Sequence, residues 1–319
     1  MNFSYQKSLK IHNHSYFDFV DINPDSDQAF YLDAEQISLC DDKYSRNATK
    51  AIDSFFYSLC EAAQNRDYNR LLNLCSFCGE VNMTHLGLSL KSSKGKGSSP
   101  QIIMKIVDGM ISRGLFENES VTRFSDLSLL TPNFDKDRSS DLITNIIQNI
   151  LYQFTVDQYK HWNLPLSNSL FSLHYWDPDT RAWKKEYVPA PTCAGQIILL
   201  TPKWFVREKL LLSTEEIFYK YILKYRQNEH LDSQSNLCRK KIDNKGNVSY
   251  LPPSKKTLKK IEYADIRRKD ILIESTNKYP NLLDIYHRDM EYRNCIGKIL
   301  IDDDTFDRIL YNLSEENIS

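Results

Sequence analysis

The stretch Asp135-Lys136-Asp137-Arg138-Ser139-Ser140-Asp141-Leu142-Ile143-Thr144-Asn145-Ile146-Ile147 carries three carboxylates within seven residues, directly ahead of apolar residues at helical spacing. The short apolar run before it, 126–130, is predicted as a buried strand, so the acids stand where a strand gives way to a helix. Carboxylates there can hold Mg²⁺, which binds one or two carboxylates and keeps several waters. They also fit a capped helix, with Ser139 or Ser140 as N-cap and acids stabilised near the N-terminus.

The apolar pattern along the rest of the chain predicts both helices and strands. Helical spacing indicates helices over 46–63, 67–77, 100–113, 142–154 and 214–229. Asp177-Pro178-Asp179-Thr180 separates two strand-like runs, 170–176 and 182–188, and predicts a hairpin. The uniformly apolar run 196–200 is predicted as a central strand. We therefore predict an α+β fold, in which a central mixed sheet is flanked by helices.

The charge distribution divides the chain unevenly. The net charge is −1, yet residues 236–270 hold eleven bases against four acids. Pro252-Pro253 marks a linker in this part. We predict a core domain over 1–232 and a small, basic, mainly helical C-terminal region over 233–319. Such an excess of positive charge indicates a surface for a polyanion, and a solvated loop without a partner is the alternative.

Two features of the composition bear on the compartment. No run approaches the roughly 20 apolar residues needed to span a bilayer, and the first residues do not resemble a signal peptide. Seven scattered cysteines, an odd number, are typical of a reducing compartment. We expect a cytoplasmic protein with no membrane partner.

The acids around 135–141 and a few basic residues form the predicted site. Asp137 and Asp141 are predicted to be catalytic and to hold Mg²⁺, with Asp135 or Glu80 as a further ligand. Lys203 follows the predicted strand 196–200, as in the acid-x-Lys arrangement of nucleases, and is predicted to stabilise developing charge. Thr201 occupies the place where that arrangement has an acid.

Basic residues elsewhere are predicted to contact phosphate. Lys94 and Lys96 alternate with glycine and serine ahead of a helix, a pattern that suits an anion site but is not a Walker A loop. A flexible surface loop is the alternative. Arg138 is predicted to neutralise the scissile phosphate. The predicted nucleic-acid contacts are Lys240, Lys241, Lys255, Lys256, Lys259 and Lys260.

Several motifs together resemble a family of bacterial proteins. They are Tyr31-Leu32-Asp33-Ala34, Glu80-Val81-Asn82-Met83 before Leu86-Gly87-Leu88-Ser89, the Asp137 to Ile147 stretch, Ile198-Leu199-Leu200-Thr201-Pro202-Lys203, and Gln227-Asn228-Glu229-His230-Leu231. Ala34 and Met83 depart from that pattern, which has proline and glutamate there. The resemblance implies a context of bacterial anti-phage defence, a nuclease-like core and a second defence-system protein as partner.

These observations predict a Mg²⁺-dependent nuclease-like protein that acts on nucleic acid. The alternative is a non-catalytic subunit that binds nucleic acid or a nucleotide within a defence complex.

Overall fold

The computed structural model describes residues 1–9, 11, 13–87, 100–116, 121–297 and 300–311. Helix accounts for 52% and strand for 12%, so helix packing forms most of the core. The α-helices are α1 (Phe3–Gln6), α2 (Ala34–Ser38), α3 (Lys43–Gln64), α4 (Tyr68–Leu74), α5 (Pro100–Ile111), α6 (Asp126–Leu130), α7 (Lys136–Ile146), α8 (Gln148–His161), α9 (Thr214–Ile217), α10 (Leu223–Asp232), α11 (Lys255–Glu262), α12 (Arg268–Lys278), α13 (Leu282–Cys295) and α14 (Asp303–Tyr311).

The strands pair in small sheets. They are β1 (Tyr31–Leu32), β2 (Leu170–Asp177), β3 (Ala182–Pro189), β4 (Thr192–Cys193), β5 (Gln196–Ile197), β6 (Val206–Arg207), β7 (Arg239–Ile242) and β8 (Val248–Leu251). Within the described residues these form four antiparallel pairs, β1–β6, β2–β3, β4–β5 and β7–β8. The fold is therefore mixed α and β, and the predicted central mixed sheet is not found there.

The predicted central strand 196–200 shows why no large sheet forms. Only Gln196–Ile197 is a strand, although Ile198, Leu199 and Leu200 are fully buried. The amide of Leu199 donates to the carbonyl of Met83 at 2.8 Å, and that of Leu200 donates to the Thr155 hydroxyl at 2.9 Å. Loop and helix side-chain acceptors thus satisfy the buried backbone that neighbouring strands would otherwise satisfy.

The prediction of a strand over 126–130 is wrong, because α6 occupies these residues. Leu127, Leu129 and Leu130 are all buried, and a short run buried on every side has no periodicity that separates strand from helix. Asp126 accepts the amides of Thr122 and Arg123, both at 3.0 Å, and so fixes the turn that leads into α6. The acidic stretch consequently follows a helix and a loop rather than a strand.

The longer periodic segments are confirmed. The segment 46–63 lies within α3, whose N-cap Asp42 accepts the amides of Tyr44 and Ser45. The predicted hairpin is present as β2 and β3, with Asp177 accepting from Asp179 and Thr180 in the turn. The predicted helix over 142–154 is divided into α7 and α8 at Ile147.

One helical segment changes its winding along its length. Between α9 and α10, residues Phe218–Ile222 form a π-helical turn, with Phe218 and Ile222 buried. Such turns insert a residue relative to an α-helix and are frequent near functional sites. The predicted helix over 214–229 is therefore present, but its two halves differ in phase.

A buried ion network joins α13 to α2 and α6. The His287 ring nitrogens lie 2.9 Å from Glu35 and 2.8 Å from Asp126, and all three side chains are at most 1% exposed. Burial alone would lower the pKa of His287, but the two carboxylates outweigh burial and raise it to about 9. Arg123 and Ser125 also donate to Glu35, so the ring is held as an imidazolium between two satisfied acids.

The C-terminal helices contribute to the same apolar core as the rest of the chain. Leu258, Ile271, Tyr286 and Phe306 belong to the buried cluster that also contains α3 and α8 side chains. The boundary near residue 232 stays a prediction. No helix in the described part of the chain has the length and apolar character to cross a membrane.

We expect His287→Gln to lower the free energy of unfolding, since it removes the buried positive charge that lies between Glu35 and Asp126. The pKa of His287 rises from about 6.5 unfolded to about 9 folded. Its stabilisation is therefore complete below pH 6.5 and is lost as pH rises through 9. On the order of 3 kcal/mol should disappear over that window, at 1.36 kcal/mol per pKa unit.

Urea unfolding at pH 6 and pH 9.5 measures this loss. His14, whose pKa burial lowers to about 4, contributes equally to the wild type and the variant, so the difference between their pH dependences isolates His287. A wild type and a His287→Gln variant with the same pH dependence would show that the imidazolium does not stabilise the fold.

Candidate functional site

The acidic stretch begins α7, and its first acid is a helix cap. Asp135 is the N-cap and accepts the Arg138 amide at 3.2 Å. Ser139 and Ser140 do not cap the helix. They are buried inside it, and Ser140 Oγ accepts the Leu32 amide at 3.0 Å. The N-cap of α7 is therefore Asp135 and not one of the two serines. Neither Asp137 nor Asp141 is the N-cap.

Asp141 lies within electrostatic reach of the other three residues predicted as metal ligands. Burial is the largest cause that raises the pKa of Asp141 to about 7, and the charges of Glu80, Asp137 and Asp135 raise it further. The Val81 amide, which donates to Asp141, opposes this shift. We call Glu80, Asp135, Asp137 and Asp141 the carboxylate cluster. The carboxylates of this cluster repel one another, and a bound cation would relieve that repulsion.

A distant segment is fixed against α7 to build this cluster. The Asn145 side chain donates to the Gly79 carbonyl at 2.7 Å and to the Asp141 carbonyl at 2.9 Å, which holds Glu80 beside the helix. Gly87 has φ +119°, and a Cβ there would lie 3.7 Å from Asp137 Oδ1. The segment 79–87 thus borders the cluster along its length.

A buried hydroxyl without a hydrogen bond lies beside the cluster. Tyr31 is fully buried, and its hydroxyl has no hydrogen-bond partner among the described residues. Its pKa is raised to about 12, first by burial and then by the charges of Asp137 and Asp135. The Lys136 ammonium lies 4.0 Å from the ring centroid. A buried unsatisfied donor costs about 1–3 kcal/mol, so this hydroxyl indicates a place for a ligand acceptor.

Two adjoining cavities beside α7 are lined by basic side chains. The first, about 410 Å³, is lined by Lys105, Ile106, Gly109, Arg113, Thr131, Pro132, Asn133 and Arg138. The second, about 340 Å³, is lined by Pro132, Asn133, Thr214, Arg267, Arg268, Lys269 and Asp270. They share Pro132 and Asn133, and together we call them the basic cleft. Six cations and one acid line it, which suits an anionic ligand.

The basic cleft and the carboxylate cluster meet at Asp135. Arg138 lies 3.8 Å from Asp135 and also donates to the Asn133 carbonyl. Lys269 donates to the carbonyls of Thr131 at 2.6 Å and Phe134 at 3.1 Å. Burial lowers the pKa of Lys269 to about 8, and the charge of Asp135 partly opposes this. Acids and bases are thus adjacent without neutralising one another completely.

Besides Tyr31, a second buried hydroxyl without a hydrogen bond lies in the basic cleft. Thr131 is 1% exposed, lines the first cavity, and its Oγ1 has no hydrogen-bond partner in the described ranges. Other charges are already paired, as in Arg113 with Asp270 at 3.1 Å and Arg268 with Glu215 at 3.1 Å. The groups most available to a ligand are therefore Lys105 and the Thr131 hydroxyl.

Lys203 is paired with an acid that does not belong to the carboxylate cluster. Its ammonium lies 2.7 Å from Asp303 on α14. Its charge also lowers the pKa of His14, after the larger effect of burial. The charges that shift Asp141 are the three other carboxylates of the cluster. The catalytic role of Lys203 stays a prediction, and Lys269 is the lysine that the fold brings to Asp135.

The other predicted cations are dispersed. Lys94 and Lys96 lie outside the described residues. Lys240 and Lys241 are exposed on β7, and Lys256 and Lys260 are exposed on α11. Lys255 and Lys259 are both bonded to Tyr219, through its carbonyl and its hydroxyl. Their nucleic-acid contacts stay predictions.

A third and larger cleft, about 810 Å³, is lined in part by Arg123. Arg123 is bonded to Glu35 at 3.1 Å and to Glu291 at 2.9 Å. Asp53 and Glu61 also line it. Because Arg123 is already paired with two carboxylates, this cleft is less suited to bind a phosphate than the basic cleft is.

The metal prediction can be compared directly with the side-chain positions. Among the residues that the structure describes, no group of three or more His, Cys, Asp or Glu side chains is placed to hold a metal ion. The four carboxylates therefore influence one another through their charges in this structure. Their side chains would have to rotate before three of them could bind one cation. The Mg²⁺ assignment stays a prediction.

The sequence indicated some of this site and missed the rest. The acids of α7 follow from their spacing, since Asp137 and Asp141 are one turn apart. Tyr31, Thr131 and Lys269 were not predicted, because they come from three separate segments and have no common motif. Only the basic composition of 236–270 indicated Lys269.

Comparison with known proteins adds one relationship. The family model of a domain of unknown function, DUF8370, matches residues 10–213. No curated protein and no solved structure matches the chain.

We expect Asp141→Asn to stabilise the protein at pH 8 relative to pH 4. An aspartate in the unfolded chain titrates near 3.9, whereas the pKa of Asp141 in the fold is about 7. Wild-type stability therefore falls as pH rises through this range. Because Asp141 is half-buried, we expect a gain of about 1–3 kcal/mol at pH 8 in urea unfolding.

The control is Asp232→Asn, at an exposed aspartate of α10, which should leave stability within ±0.5 kcal/mol or so. Equal effects of the two substitutions at pH 8 would contradict a repulsive carboxylate cluster.

Proposed function

The chain belongs to the DUF8370 family, and for this member we propose a Mg²⁺-dependent phosphodiesterase that acts on nucleic acid. The observation that carries the proposal is the adjacency of the carboxylate cluster and the basic cleft at Asp135. Acidic side chains alone repel a phosphate, and basic side chains alone bind it but do not cleave the phosphodiester. Their adjacency is what a metal-assisted phosphoryl site requires.

Two of the eight buried side-chain atoms without a hydrogen-bond partner in the described residues, the hydroxyls of Tyr31 and Thr131, lie at this place and support a ligand there. Tyr31 and Thr131 are buried donors without partners in the described part of the chain, one beside the acids and one in the basic cleft. Buried polar groups are almost always hydrogen-bonded, so such exceptions indicate a function or an unseen partner. Phosphate oxygens are acceptors that both hydroxyls can use.

The residues have distinct roles in the proposed reaction. Asp137 and Asp141 hold the cation, with Glu80 or Asp135 as a further ligand, and Arg138 and Lys105 orient the phosphate. A divalent cation, when bound, polarises the phosphodiester and lowers the pKa of a bound water. Lys269, with its pKa lowered to about 8, supplies a positive charge beside Asp135 for the charge that develops on the phosphate.

The cellular setting is part of the proposal. All seven cysteines are free thiols, which supports a reducing compartment and a cytoplasmic protein. The resemblance of the α7 stretch and its companion motifs supports a role in bacterial anti-phage defence, together with a second defence-system protein.

A non-catalytic nucleic-acid or nucleotide-binding subunit is the second candidate. The observation that favours it is the absence of a preformed metal-binding group among the described residues, together with the capping role of Asp135. In that case the basic cleft binds phosphates, and α7 only borders it.

We expect the wild type to cleave nucleic acid with Mg²⁺ and to lose at least 100-fold of that rate in Asp141→Ala, since the cluster then loses a central ligand. Gel analysis of labelled single-stranded and duplex DNA and RNA oligonucleotides with Mg²⁺ or EDTA measures it. Asp232→Ala, at an exposed site on α10, is the control. Binding without cleavage by the wild type would favour the second candidate, and cleavage by Asp141→Ala would exclude this site.

We expect Tyr31→Phe to separate stability from function. Removing an unsatisfied hydroxyl should leave the free energy of unfolding unchanged or raise it by up to about 1 kcal/mol, while Mg²⁺-dependent cleavage falls about tenfold. Tyr159→Phe is the matched control, because the Tyr159 hydroxyl donates to the Thr192 carbonyl at 3.2 Å. That control should lose stability and keep activity. Full activity in Tyr31→Phe would exclude a ligand contact at its hydroxyl.

A further inference from the structure

The β7–β8 ribbon stands out as an exposed two-stranded arm. Its register pairs Arg239 with Leu251, Lys240 with Tyr250, Lys241 with Ser249, and Ile242 with Val248. In the described ranges neither strand pairs with a third. Seven of these eight residues are exposed, and Tyr250 is half-buried. Both faces of the ribbon are therefore available to a partner.

Most charged side chains of the ribbon are positive. Residues 239–251 carry four bases, Arg239, Lys240, Lys241 and Lys245, and one acid, Asp243. The Asp243 carboxylate accepts the amides of Lys245 and Asn247 and the side-chain amide of Asn247, each at 2.8 Å. The acid is thus bound within the turn, while the four bases project outward. A polyanion is the complementary partner.

The ribbon has a fixed tip and a fixed base. At the tip, the Asp243 network and Gly246, with φ +82°, build a three-residue hairpin loop. At the base, Cys238 donates to the His230 carbonyl at 3.0 Å, and Gln227 donates to the Pro253 carbonyl at 2.7 Å. Both legs are therefore attached to α10, and the arm projects with a defined direction.

The tip carries an apolar pair. Ile242 is 61% exposed and Val248 is 49% exposed, and they face each other directly before the turn. Two adjacent β-branched side chains therefore lie exposed at the end of a basic arm. They suit a partner that presents apolar groups at the bottom of an anionic groove, such as the methyl groups of thymine.

We propose that the β7–β8 ribbon enters the major groove of duplex DNA, which makes duplex DNA the substrate class of this protein. The inference rests on the proposed function and adds the kind of nucleic acid. Four residues per strand extend about 13 Å, and the two strands lie about 4.8 Å apart. The major groove of B-DNA is about 12 Å wide and 8.5 Å deep and admits such a ribbon. The A-form major groove of duplex RNA is too narrow.

Binding in EDTA tests the inference without cleavage. Fluorescence anisotropy of the full chain is measured with a labelled 20-base-pair DNA duplex, the RNA duplex of the same sequence, and the single DNA strand. We expect the wild type to bind the DNA duplex at least tenfold more tightly than the RNA duplex. Ile242→Ser with Val248→Ser should reduce that preference to within about twofold, because the apolar contacts to the groove floor are lost.

Lys240→Gln with Lys241→Gln should lower the slope of log affinity against log salt by about 1.8, at about 0.9 for each phosphate contact. The matched control is Lys160→Gln with Lys185→Gln, two exposed lysines of α8 and β3, which should leave the slope unchanged. Since the ribbon residues are exposed, thermal unfolding of each variant should match the wild type.

The outcomes separate this inference from the proposed function. Equal binding of the DNA and RNA duplexes by the wild type, or a preference that survives in Ile242→Ser with Val248→Ser, overturns the groove inference. Mg²⁺-dependent cleavage of the single strand would still support the phosphodiesterase in that case. A wild type that neither binds nor cleaves any of the three probes overturns both.

Discussion

The placement of a charged imidazole between two buried carboxylates is the constraint on which the rest of this structure depends. His287 comes from the C-terminal part of the chain, whereas Glu35 and Asp126 lie within the DUF8370 match. Each charge is buried, so none is stable there without the others. Helix α13 is consequently held in one orientation against α2 and α6. Hydrogen bonds also join the C-terminal helix α14 to the start of the chain, from the His14 amide to Asp307 and from the Tyr311 hydroxyl to Asp21.

This constraint also determines the composition of the proposed site. Helix α12 precedes α13 and supplies Lys269 and Asp270 to the basic cleft, while the loop after α6 supplies Thr131 and Pro132. The ammonium of Lys269 is bonded to two carbonyls of that loop. Residues beyond the family match thus complete a site whose acids lie within it. A phosphate in the cleft would contact both parts of the chain.

The parts of the fold that were predictable are those with local causes. Helix α3 has 22 residues with an apolar face and a capping aspartate, and the β2–β3 hairpin has an Asp-Pro-Asp-Thr turn. The runs 126–130 and 196–200 were not predictable, because both are apolar on every side and only their neighbours decide the backbone conformation. The same distinction applies to the site. Asp137 and Asp141 share a helix, but Glu80 joins them only through the bonds of Asn145 to Gly79 and of Asp141 to Val81.

The π-helical turn Phe218–Ile222 has a geometric consequence for the arm that projects from α10. An α-helix advances about 100° per residue, and the wider π turn takes up its additional residue without rotating the helix that follows. Gln227 and His230, to which both legs of the ribbon are attached, lie beyond the turn. Loss of a single residue from 218–222 would restore regular winding and keep the hydrophobic contacts before it. It would also leave Gln227 and His230 on the same face of the helix, so the ribbon would keep its direction with or without the additional residue.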